Sequence, residues 1–143
     1  MTHAVLDDHL LRDLLADDMA RSLRTLLRTR EAATTNLYYV RLCRSAATAR
    51  GGQLTGAWPE PRRRELARVL LALPASITIV PMRSIAFRIA ELVGGHAVST
   101  LGAEAVAAAE HLEGELCVWK GADGPRIRAC AQATAVPYRT LAR

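Results

Sequence analysis

Aromatic residues are scarce in this 143-residue chain, which has one Phe, two Trp and three Tyr. Its core must therefore be aliphatic, and binding modes that stack bases on aromatic platforms are disfavoured. Cysteine is equally sparse. Cys43, Cys117 and Cys130 lie far apart inside apolar-periodic segments, without CxxC spacing or a His/Cys cluster, which argues against zinc. An odd thiol count, with no charged-then-apolar targeting segment, predicts buried cysteines in a reducing, cytoplasmic setting. No apolar run is long enough to span a bilayer, and a membrane partner is not expected. A glycine-rich phosphate loop is missing, because Gly94-Gly95 ends an apolar-periodic segment rather than opening one. No Ser or Cys is recognisably paired with a His as nucleophile and base. His9 and His96 stand alone and read as surface polar residues. Lysine is almost absent too. Lys120 is the only one, so the net charge of +5 is carried by arginine.

Arginine suits phosphate because its planar fork donates two hydrogen bonds to one group. The excess reads either as an ordinary solvated surface or as a nucleic-acid footprint. The densest cluster is Arg62-Arg63-Arg64. It reads as a solvated helix start, or as part of an RNA-facing rim with Arg41, Arg44 and Arg50. Consecutive helical positions splay around the axis, so the cluster is not one flat patch.

Half of the residues are apolar, and the length fits a single domain over residues 1–143. His3-Ala4-Val5-Leu6 is a short apolar run that stops at Asp7-Asp8, and a helical leucine pattern follows over 9–16. A second helix is expected over Met19 to Arg30, capped by Asp17-Asp18. A strand follows at Ala32 to Thr35, then a helix from Leu37 to Arg50 capped by Asn36 and ended by Gly51-Gly52. Gln53 to Trp58 reads as a loop, and Pro59-Glu60-Pro61 opens a helix over Arg62 to Leu73, stopped by Pro74. Ile77-Thr78-Ile79-Val80 is the clearest strand, β-branched throughout and bounded by Pro74 and Pro81. Helices follow over Met82 to Leu92 and from Ser99 or Thr100 to about Leu112. The chain closes with a strand at 116–119, a helix from Gly124-Pro125 to about Ala135, and a strand over Val136 to Leu141. Apolar strands alternating with helices predict an α/β fold, a three-layer α/β/α sandwich around a mostly parallel central sheet.

Val5-Leu6-Asp7 before a leucine-rich helix resembles the start of a PIN domain, the fold of many toxin-type ribonucleases. Thr34-Thr35-Asn36-Leu37-Tyr38-Tyr39-Val40-Arg41 is similar to the segment leading into that family's second helical pair. The match is best towards the C-terminus. There Ala103 to Ala109 resembles its alanine-rich helix, Leu116-Cys117-Val118 a strand, Ala122 to Arg126 an aspartate-containing loop, and Val136 to Arg139 a last strand. The resemblance implies a divalent-metal-dependent endoribonuclease, with carboxylates converging on Mg²⁺ or Mn²⁺. It carries the catalytic role onto Asp7, Glu104 and Asp123, and the metal onto these three with Asp8. It also implies RNA as partner, an antitoxin-like protein partner and a homodimer. Two positions depart from the pattern. Arg41 stands at the second acid's place and Gly102 at the third, with Glu104 two residues on. A positive charge where a cation should sit implies weakened or lost catalysis, or an arginine that binds phosphate directly. The alternative on the same fold is a non-catalytic RNA-binding or protein-interaction module.

Each acid also has a structural reading. Asp7-Asp8 reads as a helix cap with its neighbour or as a site residue that also caps. Glu104 is expected in the first turn of its helix, where the dipole favours a carboxylate. Asp123 precedes Gly124-Pro125, a common turn and helix start.

Overall fold

The computed structural model describes residues 2–48 and 52–143. Five strands form one all-parallel sheet in the order β3-β2-β1-β4-β5: β1 (Thr2–Leu6), β2 (Arg30–Thr34), β3 (Thr78–Ile79), β4 (Glu115–Trp119) and β5 (Tyr138–Leu141). Eight helices connect them within the described residues: α1 (Asp8–Leu15), α2 (Arg21–Leu27), α3 (Asn36–Ala47), α4 (Gly52–Thr55), α5 (Glu60–Leu71), α6 (Met82–Gly95), α7 (Thr100–His111) and α8 (Pro125–Ala133). The expected three-layer α/β/α sandwich is what forms. Among the described residues no helix is long and apolar enough to cross a membrane.

The alternation of β1 divides the core. Val5 points to the face covered by α6, α7 and α8, in one buried cluster with Ile85, Ile89, Val106 and Leu116. Ala4 and Leu6 point to the other face, against Leu10 of α1 and Leu23 and Leu26 of α2. A third cluster joins α1, α3, α4 and α5 through Leu11, Leu42, Leu54, Leu66 and Leu70. The alanines of α7 let that helix lie close over the sheet, and Ala103 and Ala105 to Ala109 are all buried.

Several boundaries differ from expectation, each for a local reason. Asp17 adopts a left-handed conformation with φ of 52° in a turn with Ala16, so Asp17-Asp18 do not cap the next helix. Helix α2 starts at Arg21 after Ala20, and Asp18 instead pairs with Arg62 at 3.0 Å. Helix α3 is capped by Thr35, whose hydroxyl accepts from the Tyr38 N–H at 3.1 Å, which makes Asn36 its first residue. The helix ends at Ala47, where Thr48 turns extended, so it stops short of the expected Arg50; Arg50 and the expected stop at Gly51 lie outside the described residues. Gly52 opens the short α4 rather than ending a helix, so the expected loop at Gln53 is helical through Thr55. Helix α5 starts two residues early because Pro61 sits in its first turn, where no backbone N–H is needed. The strand expected over Ile77 to Val80 keeps only Thr78–Ile79 in the ladder. It is an edge strand whose sole neighbour, β2, turns into α3 just beyond.

Gly114, between α7 and β4, touches the start of β1. A Cβ there would collide with the His3 carbonyl oxygen, which is backbone and cannot rotate away. Gly114→Ala is expected to lower stability by about 1–3 kcal/mol, read as a lower urea midpoint with unchanged m-value.

Candidate functional site at the C-terminal edge of the sheet

Three of the four candidate acids lie at the C-terminal edge of the sheet. Asp7 ends β1 beside β4, where the strand order reverses direction and such folds place ligands. It is only 3 % exposed. One carboxylate oxygen accepts from the Leu10 N–H at 2.9 Å, which caps α1. The other accepts from the Trp119 N–H at 3.1 Å, at the end of β4. Burial is the main reason its pKa is pushed up, and the Asp8 and Asp13 charges add to it. The two N–H donors oppose this, and the pKa settles at about 7.

Asp8 is buried beside it. Arg41 of α3 brings Nη1 to 3.2 Å from Asp8 Oδ2, close enough for an ion pair but off the line of a hydrogen bond. The Arg41 side chain is still 55 % exposed. His9 is half-buried rather than on the surface, with its ring 4.8 Å from that of Trp119. Burial pulls its pKa down, and the Asp8 charge opposes that shift.

Glu104 is fully buried at 0 % exposure and lies beyond the first turn of its own helix. The dipole it meets belongs to α3. Its Oε2 accepts from the Asn36 N–H at 3.0 Å and from Asn36 Nδ2 at 2.8 Å, and its Oε1 accepts from the Leu37 N–H at 2.8 Å. With Thr35 serving Tyr38, the first three N–H groups of α3 all have side-chain acceptors. Asn36 also donates to the Val80 carbonyl at 3.0 Å, and the Thr34 hydroxyl donates to Leu6 O at 2.8 Å. The ends of β1, β2 and the β3 segment are thereby tied together. Sequence reasoning missed Thr35, Trp119 and the bridging role of Asn36. Thr34-Thr35-Asn36, three short polar residues between a strand and a helix, was the signal available.

Asp123 is held elsewhere. It sits on the surface after the single 3-10 turn at Lys120–Ala122, accepts from the Tyr138 hydroxyl at 2.6 Å and pairs with Arg128 at 2.7 Å. The Tyr138 hydrogen bond, and then Arg128, hold its pKa below the usual carboxylate range. Gly102 has its own reason to lack a side chain. A Cβ there would come within 2.7 Å of Ile127 and 2.8 Å of Val98, so α7 packs too tightly for an aspartate in its present position.

These residues do not fit a divalent-metal cage. Among the described residues no group of three His, Cys, Asp or Glu side chains stands ready to hold an ion. Asp7 and Glu104 are engaged by N–H donors, Asp8 faces a guanidinium, and Asp123 faces Arg128 and Tyr138. Of the basic candidates, Arg41 belongs to this edge and Arg44 is exposed on the same helix. Arg62 stacks over Trp58 at 3.8 Å as well as pairing with Asp18. Arg64 pairs with Glu60 at 2.7 Å. Arg63 has partners of its own, so the triplet is tied down locally, and Arg50 lies outside the described residues. No protein-family model matches the chain, and no curated protein matches its sequence.

Two consequences can be measured. Asp7 titrates at 3.8 when unfolded and about 7 when folded, so the unfolded chain ionises first. Its contribution to stability is complete below about 3.8 and is lost as pH rises through about 7. Urea titrations across this range should show wild type losing stability relative to Asp7→Asn, with the difference levelling above about pH 7. Removing Glu104 leaves buried donors unpaired at about 1–3 kcal/mol each. Glu104→Ala is therefore expected to cost about 3–5 kcal/mol in denaturant unfolding. Glu104→Gln, which keeps one carbonyl acceptor, should cost less.

Proposed function

We propose that this chain is a PIN-like protein that binds RNA through its backbone phosphates and does not cleave it by a metal-dependent route. The observation carrying this reading is the Arg41–Asp8 pair. At the position where the resemblance expects a metal-ligating acid, a guanidinium supplies the positive charge itself. Half of that side chain faces solvent, which leaves donors for a phosphate oxygen. The tight packing around Gly102 supports the same reading, since the third acid's place has no room for a carboxylate. Asp7 and Glu104 then serve as the frame that fixes α1 and α3, and with α3 the base of Arg41.

Calorimetric titration of Mn²⁺ into wild type and Asp7→Asn, with a cleavage assay on single-stranded RNA, tests this. The expected result is no micromolar Mn²⁺ binding, intact RNA in Mg²⁺ or Mn²⁺, and salt-sensitive RNA binding that Arg41→Gln weakens several-fold. Micromolar Mn²⁺ binding that Asp7→Asn abolishes, together with chelator-sensitive cleavage, would overturn the proposal in favour of a metal-dependent ribonuclease.

A further inference from the structure

Among the described residues, three arginines without an ion pair stand in a row away from the acidic edge. Leu23 and Leu26 turn α2 towards the core. That leaves Arg21, Arg24 and Arg28 exposed at helical spacing on its other side. The stretch Met19 to Arg30 contains no carboxylate. Arg24 donates to the Met19 carbonyl at 3.3 Å, and Arg21 and Arg28 make no ion pair among the described residues. Two adjoining hollows, of about 510 and 560 Å³, share Arg21 and Thr25. The first lies between α2 and the edge strand β5, lined by Leu26 and Leu141 and flanked by Arg30 and Arg139, and the second continues it along α2 itself among Arg21, Arg24, Thr25 and Arg28, so that the two make one shallow groove. The one acid at its lower end is Glu115, which lies 4.0 Å from Arg30 and 3.1 Å from Arg139. The upper end has no such counter-charge. Ser22, hydrogen-bonded to the Ala142 carbonyl at 2.6 Å, holds α2 against the end of β5 and keeps the groove's walls in place.

We infer that this groove is a second binding site, which takes the phosphodiester backbone of a single nucleic-acid strand. A row of guanidiniums stepping by ~5 Å along a helix matches a chain of repeating phosphates better than one isolated phosphate. No aromatic side chain lines the groove, so bases have no stacking platform and recognition is of the backbone alone. The inference stands on charge and shape at α2 and is independent of the Arg41 reading.

Fluorescence anisotropy with a labelled oligouridine of about a dozen nucleotides tests it, using three variants of the full chain. The first is Arg21→Gln/Arg24→Gln/Arg28→Gln. The second, Arg68→Gln/Arg83→Gln/Arg126→Gln, removes the same charge from exposed positions on α5, α6 and α8. The third is Arg41→Gln. All change exposed side chains, and circular dichroism checks that each remains folded. The groove variant is expected to lose at least tenfold in affinity and to flatten the log–log salt slope by about 2, three phosphate contacts at about 0.7 each. The control triple should change affinity less than about threefold, and an abasic oligomer should bind wild type as well as oligouridine does. Equal weakening by both triples would reduce the effect to net charge and overturn the site, as would wild-type binding by the groove variant. Loss of abasic binding would overturn recognition of the backbone alone. Loss in the groove triple with none in Arg41→Gln leaves this site standing while the Arg41 reading fails, and the reverse pattern does the opposite.

Discussion

The buried carboxylate of Glu104 holds the two halves of the fold in register. It comes from α7, which lies across the face shared with α6 and α8, and it ends on the first N–H groups of α3, which leads into the α3–α4–α5 cluster. A fully buried acid is costly unless it is saturated with donors, and a helix N-terminus is costly unless its N–H groups are accepted. Each requirement meets the other here. Because Asn36 also reaches the Val80 carbonyl, the same junction sets where β3 ends. Through the rigid start of α3 it sets where Arg41 stands as well. The position of the exposed cation that faces Asp8 thus depends on a carboxylate 63 residues further along the chain.

The legible parts of the sequence were those governed by neighbours in the chain. The apolar run before Asp7, the Ser99 cap of α7 and the Gly124-Pro125 start of α8 are local decisions, and all form as read. Misreadings arose where a distant group decided. Ile77 to Val80 has every local mark of a strand, yet its ladder is cut to two residues by where β2 ends. Glu104 carries the right charge for a dipole, but not that of its own helix. Asp17-Asp18 looked like a cap until the left-handed Asp17 turned the chain away. Asp123, an acid in the expected place in the order of elements, is drawn outward by Arg128 and Tyr138. The arginines of α2 went unread, because their shared face shows only once Leu23 and Leu26 are seen to turn inward.

The acidic edge also shows why carboxylates at a sheet's mouth are poor evidence of chemistry by themselves. Asp7 accepts from α1 and β4, and Glu104 accepts from α3. In both cases the oxygens are occupied in holding backbone ends together. Such a site can change its use without changing its fold, because the frame requires the acids even when no ligand does. Asp8 alone keeps an oxygen without a hydrogen bond, and the arginine stands in front of it.

The path of the chain through the sheet has a kinetic consequence. β1 is the central strand, and one of its neighbours, β2, follows within 30 residues, whereas β4 is more than 100 residues away. Pairing between β1 and β2 is therefore available early, while the other edge of β1 waits for almost the whole chain. Until α7 and β4 are in place, the N–H groups of Asn36 and Leu37 lack Glu104, and Asp7 lacks the Trp119 N–H. Both carboxylate junctions therefore join groups far apart in the chain, and closing those loops adds an entropy cost that local contacts do not carry. The acidic edge, begun by the seventh residue, is closed by groups from the last third of the chain.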